Sequence, residues 1–290
     1  MAGASSMLIA LAALFWGISG GIAGILLDGG WDAAVVSFYR GFVGLLFALG
    51  WLLLQRGGRG LASRPLWFWS IVAGLGVAGN FTFYFLSIEH GSVAVAATLM
   101  YCAPVFVYLV SFALKLERPT AAKWLAIALV MVGVVLLTKL YAIGASGLSL
   151  MGVVTGLLAG LSYAMFIFGF KYATPHGSPS AILTIAFTVL AMVLLLPADI
   201  PEAVSVINAQ ELPLFVALGI LGAGLSFLLY VLGIKHAAPA LASMVAMVEP
   251  VTATLFGVVV LGESLGIIQM VGMGIILVTV TALSTTSSKS

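Results

Sequence analysis

Nearly all of this 290-residue chain is taken up by apolar runs separated by short polar breaks. They fall at roughly 7–27, 33–55, 66–87, 92–114, 120–138, 148–172, 179–196, 212–235, 240–261 and 266–284. At about 1.5 Å of rise per residue, each is long enough to cross roughly 30 Å of hydrocarbon as a helix. Ten spans are therefore expected. A transmembrane β-barrel is excluded, because its strands would read as short alternating segments rather than continuous apolar runs. Composition points the same way: at 63% hydrophobic and 7% charged residues, a water-facing surface would be left almost bare of charge. The fold class is an all-α integral membrane protein. No Lys or Arg precedes Arg40, so the first run resembles a retained helix more than a cleavable leader. Cys102 is the only cysteine, and no intrachain disulfide can form.

The chain also repeats itself. Aligning Tyr84–Glu117 with Tyr230–Glu263, an offset of 146 residues, gives identities at Tyr84/Tyr230, Leu86/Leu232, Ile88/Ile234, His90/His236, Ala94/Ala240, Ala96/Ala242, Pro104/Pro250, Val105/Val251, Leu109/Leu255 and Glu117/Glu263. Ten identities in 34 positions compare with about three by chance in so apolar a composition, so a duplication is expected. The copies divide at 1–140 and 141–290, within one membrane domain. Five spans per copy is an odd number, so the second copy must enter the membrane upside down. Inverted repeats of this kind are a mark of secondary transporters.

The cations test that topology independently. One side collects Arg56, Arg59, Arg64, Lys115, Arg118, Lys123, Lys171, Lys235 and Lys289, the other only Lys139, and Arg40 lies within a helix. This bias puts both termini in the cytoplasm. Asp28, Asp32, Glu89, Asp199, Glu202, Glu211 and Glu263 then face outward. The loops are too short for a soluble domain. No G-x-x-x-x-G-K-[ST] loop is present to cradle a nucleotide, and no basic, aromatic-rich face suggests nucleic acid.

In both copies small residues lead to a mid-helix proline and then to a glutamate at the helix end, at Ala94–Glu117 and Ala240–Glu263. This pattern resembles the drug/metabolite transporter superfamily, EamA type, over nearly the whole chain. Within it the chain is most similar to bacterial inner-membrane exporters of aromatic amino acids. The resemblance implies efflux of small organic solutes, by uniport or coupled to an ion gradient such as protons, through a central cavity between the copies. No cofactor or metal is implied.

Depth selects the candidate site, since inverted-repeat carriers bind substrate near the midplane. Trp16, Asn80, Tyr101, Tyr163, Ser226, Met247 and Glu249 lie near the centres of their helices. Large aromatics so far from the headgroups need partners for their polar tips, and a wet cavity supplies them, although helix packing would also account for any one of them. Aromatic and methionine walls with a few polar groups suit flat, amphipathic solutes. Glu249 is the only acid deep in a helix, where a carboxylate is costly unless paired, protonated or hydrated. It is a candidate for a substrate amino group or a coupling proton; the structural alternative is an acid tied to helix-end amides at the proline break. Arg40 is expected to snorkel to the interface, with pairing to an acid or binding of a substrate carboxylate as the alternative.

Pro104 and Pro250 occupy matched mid-helix positions, so matched kinks and a paired hinge or gate are expected. Gly152, Gly156 and Gly160 share one helix face and predict close packing. Gly17-Ile18-Ser19-Gly20-Gly21 is formally a G-x-S-x-G, the pattern of a serine nucleophile. An intramembrane protease would need a histidine at similar depth, and His90, His176 and His236 fall at helix ends or in a loop, so that reading is remote. The sequence also leaves open export of a nucleobase, sugar or drug, and lipid flipping.

Overall fold

The computed structural model describes residues 2–55, 60–143 and 149–287. Arg56, Arg59 and Lys289 lie outside the described residues. Among the described residues the fold is helical throughout, without strands. Seven segments are long and apolar enough to cross a membrane: Gly3–Asp28, Ala33–Leu54, Arg64–Glu89, Val93–Ala113, Leu150–Ala173, Leu212–Ile234 and Pro239–Val260. Three further apolar helices, Ala121–Leu137, Pro179–Leu195 and Ile267–Leu283, have 17 residues or fewer, at the short end of what spans hydrocarbon. The protein is a multi-pass membrane protein.

The helices are α1 (Ala2–Asp28), α2 (Ala33–Leu54), α3 (Arg64–Glu89), α4 (Val93–Met100), α5 (Ala103–Ala113), α6 (Ala121–Leu137) and α7 (Leu150–Ala173). There follow α8 (Pro179–Leu195), α9 (Ile200–Ser205), α10 (Leu212–Gly219), α11 (Ser226–Ile234), α12 (Pro239–Val245), α13 (Val248–Val260) and α14 (Ile267–Ser287). Side chains close the helix starts, where backbone amides would otherwise be left without partners. Asp32 accepts from the amides of Ala34 and Val35, Ser92 from Val95, Thr120 from Lys123 and Ser178 from Ala181.

Contacts between chain turns define two ends of the bundle. At one, the Asp28 end, the Asp32 amide donates to Glu202 at 2.7 Å and Gln269 Nε2 donates to the Leu137 carbonyl at 3.1 Å. At the other, the Lys171 end, Lys171 Nζ donates to the carbonyls of Ile234 (3.1 Å), Lys235 (3.2 Å) and Ala237 (2.7 Å).

Three segments expected as continuous helices are interrupted. The kinks at Pro104 and Pro250 are full breaks: α4 stops at Met100 and α5 starts at Ala103, while α12 stops at Val245 and α13 starts at Val248. Each proline lacks an amide hydrogen, and its ring crowds the carbonyl four residues earlier, Met100 or Ala246, so the hydrogen-bond ladder ends there and restarts. Both prolines therefore stand in the first turn of a new helix, where proline is well tolerated. The third interruption is a π-helical turn at Ile220–Leu225 between α10 and α11. The connection 197–211 contains α9 and a short 3-10 turn.

Glycine sets how closely the helices approach. A Cβ on Gly156 would come within 2.8 Å of the Leu99 side chain, and one on Gly160 within 2.8 Å of the Leu99 carbonyl, so the glycine face of α7 does seat α4. Gly76 and Gly169 likewise bring α3 and α7 together at Phe166 and Ala73.

Candidate functional site

A cavity of about 410 Å³ lies between α1, α2, α3, α4, α7, α11 and α13. From Trp16, Tyr163 and Glu249 it runs past Arg40, Asn80 and Tyr101 to Asp28, Ile88 and Val93, that is, toward the Asp28 end. The helix breaks place two of these groups. Tyr101 sits in the gap between α4 and α5, and Glu249 in the first turn of α13, where the helix dipole favours a negative charge.

Glu249 accepts a hydrogen bond from the Tyr163 hydroxyl at 3.2 Å. The structural alternative, a carboxylate tied to helix-end amides, is not the bond seen. Arg40 does not snorkel. Its Nε and Nη2 donate to the Gly222 carbonyl at 3.3 and 3.2 Å, and its guanidinium carbon lies 4.7 Å from the centre of the Phe81 ring. The acceptor lies in the π-helical turn between α10 and α11. Gly222 is needed there, because a Cβ would come within 2.7 Å of Arg40 Nε and 2.6 Å of Ser19 Oγ. Arg40 and Glu249 face the same cavity and feel each other's charge, yet no ion pair joins them among the described residues.

The floor is aromatic. The Trp16 ring lies 5.0 Å from Phe227, 5.1 Å from Tyr230 and 6.3 Å from Tyr163, and the Tyr163 ring lies 4.4 Å from that of Phe166, tilted by 36°. Asn80 Nδ2 donates to the Ala159 carbonyl at 3.0 Å. Among the described residues the hydroxyls of Tyr84 and Tyr101 have no protein partner, which leaves them free for a ligand.

Of the residues singled out in sequence, Trp16, Arg40, Asn80, Tyr101, Tyr163 and Glu249 line this cavity. Ser226 and Met247 do not: both are wholly buried in the surrounding packing. Pro104 and Pro250 are also buried, beside the helix breaks. Sequence reasoning missed Phe81, Tyr84 and Gly222. Tyr84 was within reach, standing one turn from Asn80 on the same helix face. Nothing in the sequence marked the π-turn that brings Gly222 to Arg40.

The G-x-S-x-G stretch is a packing device. A Cβ on Gly17 would meet the Glu249 carbonyl at 2.7 Å and the Ala253 amide at 2.8 Å, and one on Gly21 would enter the Phe256 ring. Ser19 is buried and donates to the Trp16 carbonyl of its own helix at 2.8 Å. His90 is bonded to the Leu86 carbonyl, far along the chain and at a helix end.

The profile of the EamA-like transporter family matches this chain twice, over residues 4–139 and 150–285. The chain belongs to the EamA-like transporter family. An uncharacterized transporter of Archaeoglobus fulgidus is 30% identical over 248 residues, covering 86% of this chain and 85% of that protein. The uncharacterized transporter YwfM of Bacillus subtilis is 24% identical over 297 residues, covering 98% and 95%. One crystal structure superposes with a TM-score of 0.76 at 18% identity, over 98% of this chain and 97% of that one, which shows a shared fold.

Proposed function

We propose that this EamA-family transporter exports amino acids, aromatic and other bulky apolar ones, across a bacterial inner membrane. The observation that carries the reading is one cavity holding a guanidinium and a carboxylate that are not paired with each other, among aromatic walls. A zwitterion supplies the missing partners: its carboxylate goes to Arg40, and its ammonium to Glu249. Trp16, Tyr163 and Phe81 receive an aromatic or aliphatic side chain. The volume, about 410 Å³, lies at the lower end for small-molecule sites and suits a solute of this size.

In this reading the chain has ten spans, as two inverted five-helix copies at 1–140 and 141–290. Both termini are cytoplasmic. Arg64, Lys115, Arg118, Lys123, Lys171 and Lys235 gather at the Lys171 end, which supports that end as the cytoplasmic one. The paired breaks at Pro104 and Pro250 act as hinges for alternating access. Glu249 is also the group placed to take a proton if transport is coupled to one.

The test is flux through proteoliposomes of purified protein with labelled phenylalanine, tryptophan, threonine, lysine, adenine and glucose, with and without a pH gradient. Saturable amino-acid flux supports the reading, and its dependence on the gradient decides coupling. Transport of adenine or glucose without amino-acid flux would transfer the cavity to another metabolite. Unchanged transport in folded Glu249→Gln, Trp16→Ala, Tyr101→Ala and Tyr163→Ala proteins would remove the site.

A further inference from the structure

The cavity opens in one direction, but the chain carries a second copy of the wall that lines it. α3 contributes Asn80, Phe81, Tyr84 and Ile88. At the repeat offset their counterparts are Ser226, Phe227, Tyr230 and Ile234, on α11. Phe227 already borders the floor of the cavity beside Trp16, but the two polar pairs are in opposite circumstances. Tyr84 is half-buried and faces the cavity, whereas Tyr230 is fully buried and its hydroxyl has no hydrogen-bond partner. Asn80 is bonded at the cavity wall, whereas Ser226 is fully buried and its hydroxyl also lacks a partner.

Two orphan hydroxyls one turn apart on one helix face are a standing cost to stability, and phenylalanine with alanine would fill the same space without it. Buried polar groups without partners call for another explanation. Here it lies in the repeat: if the copies exchange conformations, the face of α11 becomes what the face of α3 is now. We propose that Ser226 and Tyr230 form the collapsed second half of the substrate path, opening to the Lys171 end and offering their hydroxyls to the substrate's polar groups there. This rests on the alternating-access reading above.

Two observations at that end fit the assignment. A second cavity of about 320 Å³, lined by Tyr108, Glu117, Lys123, His236, Ala237 and Met244 among others, lies at the Lys171 end and shares no lining residue with the first. Beside it, the Lys171 ammonium holds three carbonyls spanning the end of α11 and the turn into α12, one of them that of Ala237, which lines this second cavity. An ammonium satisfied by carbonyls alone is a fastening that can be released without stranding a carboxylate.

The experiment is thiol labelling in a Cys102→Ser background, with single cysteines at Asn80 or Ser226, each with and without Lys171→Gln. N-ethylmaleimide is the probe, applied to proteoliposomes. Ser226→Cys should react, and Lys171→Gln should speed it at least fivefold while slowing Asn80→Cys. Tyr230→Phe should melt no lower than the parent yet turn over at least fivefold more slowly. A Ser226→Cys protein that stays unreactive in both backgrounds while Asn80→Cys reacts would overturn the proposal, as would unaltered turnover in Tyr230→Phe. Labelling requires no substrate, so the outcomes separate: reciprocal labelling without amino-acid flux retires only the substrate reading, and amino-acid flux with an inert Ser226→Cys retires only this one.

Discussion

A single methyl group on Gly17 tests how α1 meets α13. A Cβ there would lie 2.6 Å from Thr252 Cβ, 2.7 Å from the Glu249 carbonyl oxygen and 2.8 Å from the Ala253 nitrogen. Two of these are backbone atoms and cannot swing aside, so restoring ordinary contact requires the helices to part by roughly 0.7 Å. Overpacking of this kind costs about 1–3 kcal/mol. At roughly 2–4 °C per kcal/mol for a chain of this size, Gly17→Ala should lower the melting temperature by about 5 °C. The strain falls on the backbone of Glu249 itself, so its carboxylate moves as well. Since misplacement by about 1 Å can cost 10²-fold in a positioned site, transport should fall on the order of tenfold. Gly20 and Gly24 are the controls: they line the cavity on the same helix, and a Cβ at either meets nothing within 4 Å. Alanine there also removes glycine's helix penalty of about 1 kcal/mol, so those proteins should melt at or above the parent temperature. Thermal unfolding in detergent, followed by flux in proteoliposomes, reads both effects. If Gly17→Ala melts no lower than Gly20→Ala, the close approach of α1 to α13 is wrong, and so is the packing account of the 17–21 stretch.

Other substitutions probe the site separately. Tyr163→Phe removes the hydroxyl that donates to Glu249, a charge-assisted bond worth about 1.5–3 kcal/mol; on the proposed amino-acid reading, phenylalanine affinity measured by calorimetry should weaken about tenfold. Arg40→Lys keeps the charge but loses the planar group that meets Gly222 and Phe81, so transport should drop at least about tenfold; parental flux in this protein would show that charge alone matters there. Ser19→Ala removes a bond made only within its own helix and should keep flux within about twofold, whereas loss of all activity would revive the nucleophile reading.

Much of the architecture was legible because membrane burial leaves a coarse record. Apolar run length marks where a helix can cross, and a proline in such a run must interrupt the ladder. The depth argument brought Trp16, Asn80, Tyr101, Tyr163 and Glu249 to one cavity without any contact information. Ser226 and Met247, at similar depth, are buried outside it, since depth along a helix says nothing of which face a side chain occupies. Run length was also blind to how a segment is built inside. The apolar stretch 212–235 reads as one helix, yet it holds the π-turn that gives Arg40 its carbonyl.

The sequence by itself determined that this chain lies in a membrane, that it is built from two related halves, and that a few costly polar groups sit at depth. Each of those follows from local properties: transfer free energy, helix rise and proline's missing amide. Only the tertiary structure decided that Arg40 binds a carbonyl instead of reaching for the interface, that Glu249 meets Tyr163, and that the cavity opens at the Asp28 end. Those outcomes depend on which helix faces meet and how closely glycines let them approach. Packing between distant segments sets that geometry, and no single stretch of chain encodes it.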